Sequence, residues 1–281
     1  PGGVNLVKTG VADFVMALKP DIVNLHHLQG DRISIEEIGN IKVPIVWTLH
    51  DGWPFSGREA HPVDDRYVTG YCRQSERGWW LDRWVWQRKV KSFRPLPITV
   101  VGPSAWICRC ASASIVFQGR RTECIHNPVD TDVFHPSAQD DARGRWGIDS
   151  DKFVVLFGAS GGTKNLYKRF DRLAEAFRLL DKKFKESMCL VVFGEDAEEK
   201  IINGVHTKFL GVITNDAELS SVYATADVFA LPSQKDNAPQ TKFEAMACGI
   251  PVVAFNESGC AELIIHGENG WVSSAGNIAA F

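Results

Sequence analysis

The chain has 281 residues, of which 44% are hydrophobic and 23% are charged, and its 31 Lys and Arg against 34 Asp and Glu give a net charge of −3. This composition excludes disordered and fibrous proteins, and the near-zero charge argues against a nucleic-acid-binding protein. At roughly 150 residues per domain, the length predicts about two domains. No apolar run approaches the roughly 18 residues that span a bilayer, and the opening PGGVNLVKTG lacks the pattern of a signal peptide, so we expect a cytoplasmic location.

Seven short runs rich in apolar and β-branched residues are predicted to be strands. In chain order they are DIVNLHH (21–27), VPIVWTLH (43–50), PITVVGPS (97–104), FVVLFGAS (153–160), CLVVFGE (189–195), DVFALPS (227–233) and IPVVAFN (250–256). Continuous apolar strands that alternate with helices indicate parallel sheets covered on both faces. In such sheets ligands bind beyond the carboxyl ends of the strands.

Helices are predicted between these strands from the spacing of apolar residues. A first helix is expected over 11–18, and two further helices follow from apolar positions spaced i, i+3, i+4 and i+7, starting at Phe170 and at Leu219. Asn215 and Glu218 have the spacing of a capping box at the start of the last of these.

The pattern of strands and helices breaks between Asn127 and Lys152, where the chain is rich in Asp, Pro, Ser and Gly. We therefore expect a first domain over 1–127, a linker over 128–150 and a second domain over 151–281. The second half restarts with a strand, a glycine loop and a helix, as nucleotide-binding α/β domains do. The first half has no such opening, so we expect a preceding strand and loop to lie before Pro1.

The seven cysteines are odd in number and scattered, so we interpret them as reduced thiols. They are Cys72, Cys108, Cys110, Cys124, Cys189, Cys248 and Cys260. A zinc site formed by Cys108, Cys110, Cys124 and His126 is an alternative, although its one-residue gaps are shorter than those of zinc fingers.

The stretch from Gly78 to Phe93, GWWLDRWVWQRKVKSF, combines four tryptophans with four basic residues. One interpretation is a helix that packs its indoles into the first domain and turns its cations to water. The alternative is a surface that meets a membrane or a lipid-linked, phosphate-bearing acceptor.

The glycine-rich loop from Gly158 to Gly162 follows a buried strand, which is where backbone amides can approach a phosphate. The loop does not match the P-loop pattern, because Thr163 stands where glycine is required and Asn165 follows Lys164. No G-x-G-x-x-G is present, which argues against a nicotinamide dinucleotide. Lys168 begins the next predicted helix, where its ammonium could meet a diphosphate or simply be solvated.

A second candidate segment runs from Asp227 to Ile264 and contains Asp236 and Glu244, eight positions apart. Its helix is expected from Thr241 to Cys248, closed by Gly249. A structural interpretation remains open for each acid, because Thr241 and Glu244 fit a capping box and Asp236 fits an Asx turn. Together, the loop and helix N-terminus suit phosphate oxygens, and the acids suit ribose and sugar hydroxyls.

This segment resembles the signature of glycosyltransferase family 4, the retaining enzymes of the GT-B fold. That signature is a glutamate, seven residues and a second glutamate, followed by Ala-Met-Ala-x-Gly-x-Pro-Val-Val. Here the run reads EAMACGIPVV from Glu244, and Asp236 takes the first acidic position on a shorter arm. Lys168 stands at the family's phosphate-binding lysine, but Arg169 follows it where glycine is usual, and the arginine often found earlier in the loop is absent.

The first half resembles the colanic-acid-type polysaccharide transferases of the same family. VPIVWTLHDGWPFSG is similar to the strand that ends in a histidine on the catalytic face, here His50, followed by Asp51. VVGPSAWI and CIHNPVDTDVFHP match two further landmarks, and the second of them argues against Asp130-Thr131-Asp132 as a metal-binding motif. The resemblance covers residues 21 to 270, and it implies α/β, Rossmann-like domains whose parallel sheets face across a cleft, with both ends of the chain incomplete.

The resemblance implies transfer of a sugar from a nucleoside diphosphate donor, without a metal or other cofactor, to a polysaccharide or lipid-linked acceptor. His50 and Asp236 are the implied catalytic residues. The implied donor-binding residues are Gly158, Ala159, Ser160, Lys168, Gly211, Asn237, Ala238, Pro239, Gln240, Thr241 and Glu244. A GT-B epimerase or phosphorylase, a non-catalytic nucleotide-sugar-binding fragment, and peripheral contact with a membrane remain open.

Overall fold

The computed structural model describes residues 3–62, 64–71 and 79–281, with the backbone alone of Trp79. The chain divides into two compact units, Pro1–His126 and Asn127–Phe281, so the boundary falls one residue before the expected position. Each unit is built around its own sheet.

The first unit contains four parallel strands with helices between them. The strands are β1 (Val23–Leu25), β2 (Ile45–Thr48), β3 (Ile98–Gly102) and β4 (Thr122–Cys124), and the helices are α1 (Val11–Ala17), α2 (Ile35–Ile38), α3 (Arg66–Thr69), α4 (Trp79–Phe93) and α5 (Ala105–Ala113). The strands lie side by side in chain order. The three apolar runs predicted as strands are confirmed. No apolar run marks β4, because it lies at the sheet edge with its side chains largely exposed.

The second unit contains a seven-stranded sheet. Its strands are β5 (Phe153–Gly158), β6 (Met188–Phe193), β7 (Lys200–Ile202), β8 (Val205–Phe209), β9 (Val228–Leu231), β10 (Val252–Phe255) and β11 (Gly270–Ser273), and its helices are α6 (Gln139–Trp146), α7 (Phe170–Leu179), α8 (Lys182–Glu186), α9 (Asp216–Ala224) and α10 (Gln240–Ala247). The spatial order is β11-β10-β9-β5-β6-β8-β7, and every pair is parallel except β7 with β8. Four of these strands were predicted. In β5 every residue after Phe153 is buried, as a strand covered on both faces requires.

Residues 128–150, which were expected to form a linker, fold with the second unit. Phe134 and Ile148 lie in its core. Arg143 of α6 is buried, and its guanidinium forms a 2.7 Å ion pair with Asp227 and donates to the Thr225 carbonyl at 3.0 Å. Hydropathy does not reveal polar contacts of this kind, so the sequence pattern predicted a linker.

The basic and aromatic helix α4 fits neither of its two interpretations fully. Trp86 is buried, whereas Trp80 and Trp84 are 62% and 39% exposed. Lys89 is fully buried, and its ammonium donates to the carbonyls of Trp53, Ser56 and Gly57. Gly78 and the Trp79 side chain lie outside the described residues. The helix therefore turns two indoles outward and one cation inward.

Two residues of the zinc alternative, Cys108 and His126, contact backbone carbonyls. Cys108 Sγ lies 3.4 Å from the Glu123 carbonyl, and His126 Nδ1 lies 3.0 Å from the Pro103 carbonyl. The described part of the chain contains no group of three or more His, Cys, Asp or Glu that could hold a metal ion. None of the six cysteines among these residues forms a disulfide, and Cys72 lies outside them. Within the same residues, no helix is long and apolar enough to cross a membrane.

Candidate functional site

The parallel strands of the second unit have their carboxyl ends at one edge of the sheet. The candidate donor residues follow those carboxyl ends. The loop after β5 carries Lys168, and the loop after β9 carries Asp236. Lys168 Nζ lies 2.5 Å from Asp236 Oδ2, and the two side chains are 24% and 18% exposed. The structure therefore brings the predicted lysine and the predicted carboxylate into one ion pair. Lys168 ends a 3₁₀ turn (Leu166–Lys168) rather than beginning a helix.

The loop that carries Asp236 is held by a second loop, which follows β10. The Asp236 N–H donates to Ser258 Oγ at 3.0 Å, and the Asp236 carbonyl accepts from the Gly259 N–H at 2.9 Å. A Cβ atom on Gly259 would lie 1.6 Å from the Asn237 carbonyl oxygen, so only glycine allows this approach. Ser258 adopts a left-handed conformation (φ 50°), which is uncommon for a residue other than glycine.

Gly158 and Ala159 belong to the end of the sheet rather than to an open loop. A Cβ on Gly158 would lie 1.9 Å from the Phe193 ring, and the Ala159 N–H donates to the Phe193 carbonyl at 3.4 Å. Ser160 is the exposed member of the three. Packing against Phe193 therefore explains why residue 158 is a glycine. Of these three residues, Ser160 is the one whose side chain faces solvent at the strand end.

Glu195 is a buried carboxylate beside this loop that the sequence analysis did not select. Its Oε2 accepts from the Thr163 N–H at 2.8 Å and from the Thr163 hydroxyl at 2.5 Å, and Oε1 lies 2.9 Å from Lys164 Nζ. Burial alone would raise the pKa of Glu195, but these bonds outweigh it and hold the pKa below its ordinary value. Its position directly after Gly194, at the end of a buried strand, was the signal that could have found it.

Gly211 lies beside the same strand ends. The Gly194 N–H donates to the Gly211 carbonyl at 2.7 Å, and Glu195 and Gly211 form an isolated antiparallel bridge. Gly194 has φ 91°, and a Cβ there would lie 1.9 Å from the Ala159 carbonyl oxygen. The ends of β5, β6 and β8 are thus locked together by backbone contacts that side chains would prevent.

Helix α10 begins at Gln240, one residue before the expected start, with Pro239 as its N-cap. The capping-box interpretation is therefore wrong, because Thr241 is the second helical residue and no side chain caps the helix. Gln240 Nε2 donates to the Pro128 carbonyl at 3.1 Å. Thr241 Oγ1 is buried and has no hydrogen-bond partner among the described residues. Such an unsatisfied hydroxyl at a helix N-terminus suits a ligand oxygen.

Two further members of this loop, Asn237 and Ala238, precede the helix. Asn237 is 4% exposed, and Ala238 is half-buried.

Glu244 lies one turn along α10, and its partner is Tyr223 of α9. The Tyr223 hydroxyl donates to Glu244 Oε2 at 2.8 Å, and both residues are buried. Burial raises the pKa of Glu244, and the tyrosine hydrogen bond offsets part of that rise. The carboxylate is thus oriented through one oxygen, and its other oxygen can accept a ligand hydroxyl.

Arg169 occupies the position where the resemblance expects glycine. Its φ of 52° lies in the left-handed region, which glycine enters without strain. Its guanidinium forms a 2.7 Å ion pair with Asp171 and donates to Gln234 Oε1 at 2.9 Å. These contacts hold the strained residue next to Lys168.

His50 follows β2 in the first unit, within a cluster of three histidines. Its Nε2 lies 2.9 Å from His26 Nδ1, and its ring stacks on that of His27 with centroids 4.2 Å apart. Burial lowers the pKa of His50, and the neighbouring His27 and His26 lower it further. Asp51 is buried and accepts from the Trp53 N–H at 2.8 Å. His26 and His27 were not predicted as site residues, although both follow β1 directly.

Comparison with known families matches residues 138–281, just over half of the chain, to the glycosyl transferases group 1. The chain belongs to the group 1 glycosyl transferases. This group 1 glycosyl transferase is 33% identical over 175 residues to the putative glycosyltransferase EpsD of Bacillus subtilis, covering 58% of the chain and 44% of that protein. It is 28% identical over 278 residues to the sulfoquinovosyl transferase SQD2 of Arabidopsis thaliana, covering 94% and 49%. The chain thus spans about half the length of these curated relatives.

Solved structures show that this group 1 glycosyl transferase has the GT-B fold. Sucrose-phosphate synthase from Thermosynechococcus elongatus superimposes with a TM-score of 0.66 at 17% identity, covering 96% of this chain and 65% of that one. Anabaena HepE, solved in complex with UDP, gives a TM-score of 0.66 at 19% identity, covering 97% and 70%. The fold expected from the sequence is confirmed.

Proposed function

We propose that the chain binds a nucleoside diphosphate sugar and transfers the sugar to an acceptor hydroxyl with retention of anomeric configuration. The observation that carries this proposal is the Lys168–Asp236 ion pair at the strand ends, whose carboxylate lies in the loop that leads into the N-terminus of α10. A cation, a carboxylate and a helix N-terminus are the groups that a diphosphate and a sugar need.

Each part of the donor would contact the protein groups whose charge suits it. The N-terminus of α10, the Thr241 hydroxyl and the Lys168 ammonium suit the diphosphate. Glu244 suits the ribose hydroxyls, because an oriented carboxylate accepts charge-assisted hydrogen bonds. Asp236 and the loop from Asn237 to Gln240 would hold the transferred sugar. The HepE complex with UDP supports a nucleotide ligand for this fold.

In the proposed reaction, the bond between the anomeric carbon and the diphosphate breaks, and the diphosphate leaves with the electron pair. The acceptor oxygen then attacks from the same face, and its proton passes to the diphosphate oxygen that has just left. Lys168 and the helix N-terminus stabilise the leaving diphosphate, which is the role that a metal ion has in other transferases, so we propose no resident cofactor. His50 would donate a hydrogen bond to the sugar and to the leaving diphosphate.

For the acceptor, we propose a glycan or a lipid-linked sugar met at the cytoplasmic face of a membrane. The support is the pair of outward indoles on α4, Trp80 and Trp84, together with the exposed Lys91 further along the same helix. Exposed indoles and cations together favour the headgroup region of a bilayer.

A thermal-shift panel of UDP-glucose, GDP-mannose and ADP-glucose tests the proposal. A ligand at 100 times its Kd stabilises the folded state by about 2.7 kcal/mol, so the correct base should raise the unfolding midpoint by several degrees. Release of the sugar to an acceptor with the starting anomeric configuration, followed by NMR, would then establish transfer. Binding without release under any acceptor would favour a non-catalytic module. Turnover without an acceptor would favour an epimerase, and a requirement for orthophosphate would favour a phosphorylase.

A further inference from the structure

Lys242 is a lysine in the first turn of α10 whose side chain is fully buried. Its ammonium donates to the Gly259 carbonyl at 3.0 Å and to the Glu262 carbonyl at 2.8 Å. It also lies 4.7 Å from the centre of the Phe243 ring. The charge is therefore satisfied by backbone oxygens of the loop that follows β10.

This placement is unfavourable for stability in two respects. An ammonium loses its hydration on burial, and burial lowers the pKa of Lys242 to about 8. The N-terminal turn of a helix also disfavours a cation, because the helix dipole is positive there. A buried apolar residue would avoid both effects. The role of Lys242 must therefore lie in the contacts that its ammonium makes.

The loop that Lys242 holds is the one that holds Asp236. Ser258 Oγ accepts from the Asp236 N–H at 3.0 Å, and the Gly259 N–H donates to the Asp236 carbonyl at 2.9 Å. The absence of a side chain on Gly259 lets this turn press against the Asn237 carbonyl. A shift of the turn would therefore carry the Asp236 backbone with it.

We infer that Lys242 is a positioning residue for Asp236: its ammonium fixes the 258–262 turn, which sets the Asp236 carboxylate against Lys168. This inference rests on the proposed function, in which Asp236 holds the transferred sugar. Glu244 lies two positions along the same helix, but its partner is Tyr223 and not the turn. Loss of the Lys242 ammonium therefore weakens contacts to the sugar and leaves contacts to the nucleoside intact.

The experiment compares binding of UMP and UDP-glucose to the wild-type chain and to Lys242→Met by calorimetry at pH 7. UMP lacks the β-phosphate and the transferred sugar, so it reports the part of the site that holds the nucleoside and the α-phosphate. We expect Lys242→Met to weaken UDP-glucose binding by at least about tenfold, since two bonds from a charged donor are lost, and to change UMP binding by less than about twofold. Lys208→Met is the control, because Lys208 of β8 also donates to a backbone carbonyl, that of Gly147, and pairs with Glu199 rather than with the turn that holds Asp236. We expect the control to bind both ligands as the wild type does.

An unchanged affinity of Lys242→Met for UDP-glucose would overturn the inference, and so would an equal loss for both ligands in a folded protein. Should Lys242→Met fail to fold, Ser258→Ala removes the acceptor of the Asp236 amide at a half-buried position and tests the same link. We expect it to weaken UDP-glucose binding about threefold and to spare UMP, and equal effects on the two ligands would reject positioning. If the wild-type chain binds neither ligand, the proposed function fails first and this inference with it.

Discussion

Lys168 and Asp236 are 68 positions apart in the chain, yet the ammonium and the carboxylate lie 2.5 Å from each other at the ends of β5 and β9. Those two strands are neighbours in the sheet, although three helices (α7, α8 and α9) and three other strands separate them in sequence. Parallel pairing places their carboxyl ends at one edge, and the two loops therefore meet there. The ion pair is a consequence of strand order.

Replacement of Lys168 by methionine should weaken UDP binding by at least about tenfold, because the diphosphate loses a charge-assisted hydrogen bond. Isothermal titration with UDP measures the change. Lys182→Met is the control, since Lys182 is exposed on α8 and pairs with Glu186 of the same helix. Equal UDP affinity for Lys168→Met and the wild type would exclude a phosphate-binding role.

Replacement of Glu244 by alanine should weaken binding of UDP by at least about tenfold, because the ribose loses an oriented carboxylate. Tyr223→Phe keeps the carboxylate and removes only the hydroxyl that orients it, so we expect a smaller loss, of about threefold. A larger effect of Tyr223→Phe than of Glu244→Ala would contradict the assignment of Glu244 as the group that binds the ribose.

The raised pKa of Glu244 also predicts a pH dependence of nucleotide affinity. As the pH falls through this pKa, Glu244 takes up a proton and loses its strength as an acceptor, in a range where an exposed glutamate stays ionised. UDP affinity measured between pH 5 and pH 8 should therefore fall toward the acid side, more steeply in the wild type than in Glu244→Gln. Parallel curves for the two proteins would show that the fall in affinity comes from protonation of the UDP phosphate and not of Glu244.

Replacement of Glu195 by alanine should lower the free energy of unfolding by about 1 to 3 kcal/mol, because the Thr163 amide and hydroxyl lose their acceptor. Since the pKa of Glu195 is lower in the folded chain, its contribution is present above the pKa of an ordinary glutamate and is lost as the pH falls through the folded pKa. Urea unfolding at pH 7 and at pH 4 measures both effects. Glu175→Ala is the control, because that carboxylate pairs only with Arg178 on the surface, and it should leave the midpoint unchanged.

Replacement of His26 by asparagine should raise the pKa of His50, because one of the two neighbouring imidazoles that lower that pKa is removed. NMR titration of the imidazole resonances measures the shift, with His266→Asn in the second unit as the control. The lowered pKa of His50 also sets the direction in which the free energy of unfolding changes with pH. The unfolded chain binds more protons between the folded pKa and the ordinary value, so the wild type gains stability as the pH rises through that window. A His50 pKa that stays unchanged in His26→Asn would contradict the electrostatic coupling.

The sequence by itself determined the parallel sheets and the family. Buried strands such as β5 read as continuous apolar runs because both faces are covered, and the Glu244 signature lies in one uninterrupted segment. Local patterns of this kind need no knowledge of the rest of the chain. Edge strands such as β11 escaped prediction because they bury too few side chains to produce a run.

Only the tertiary structure decided which polar groups meet. Thr241 and Glu244 have the spacing of a capping box, yet the helix begins one residue earlier and Glu244 accepts a hydrogen bond from Tyr223 of another helix. Lys242 looks like a solvated lysine in the sequence and is buried in the fold. Hydropathy describes each residue alone, whereas the burial of a charge depends on distant carbonyl groups that the fold brings to it. For that reason the candidate residues could be found from the sequence, and their partners could not.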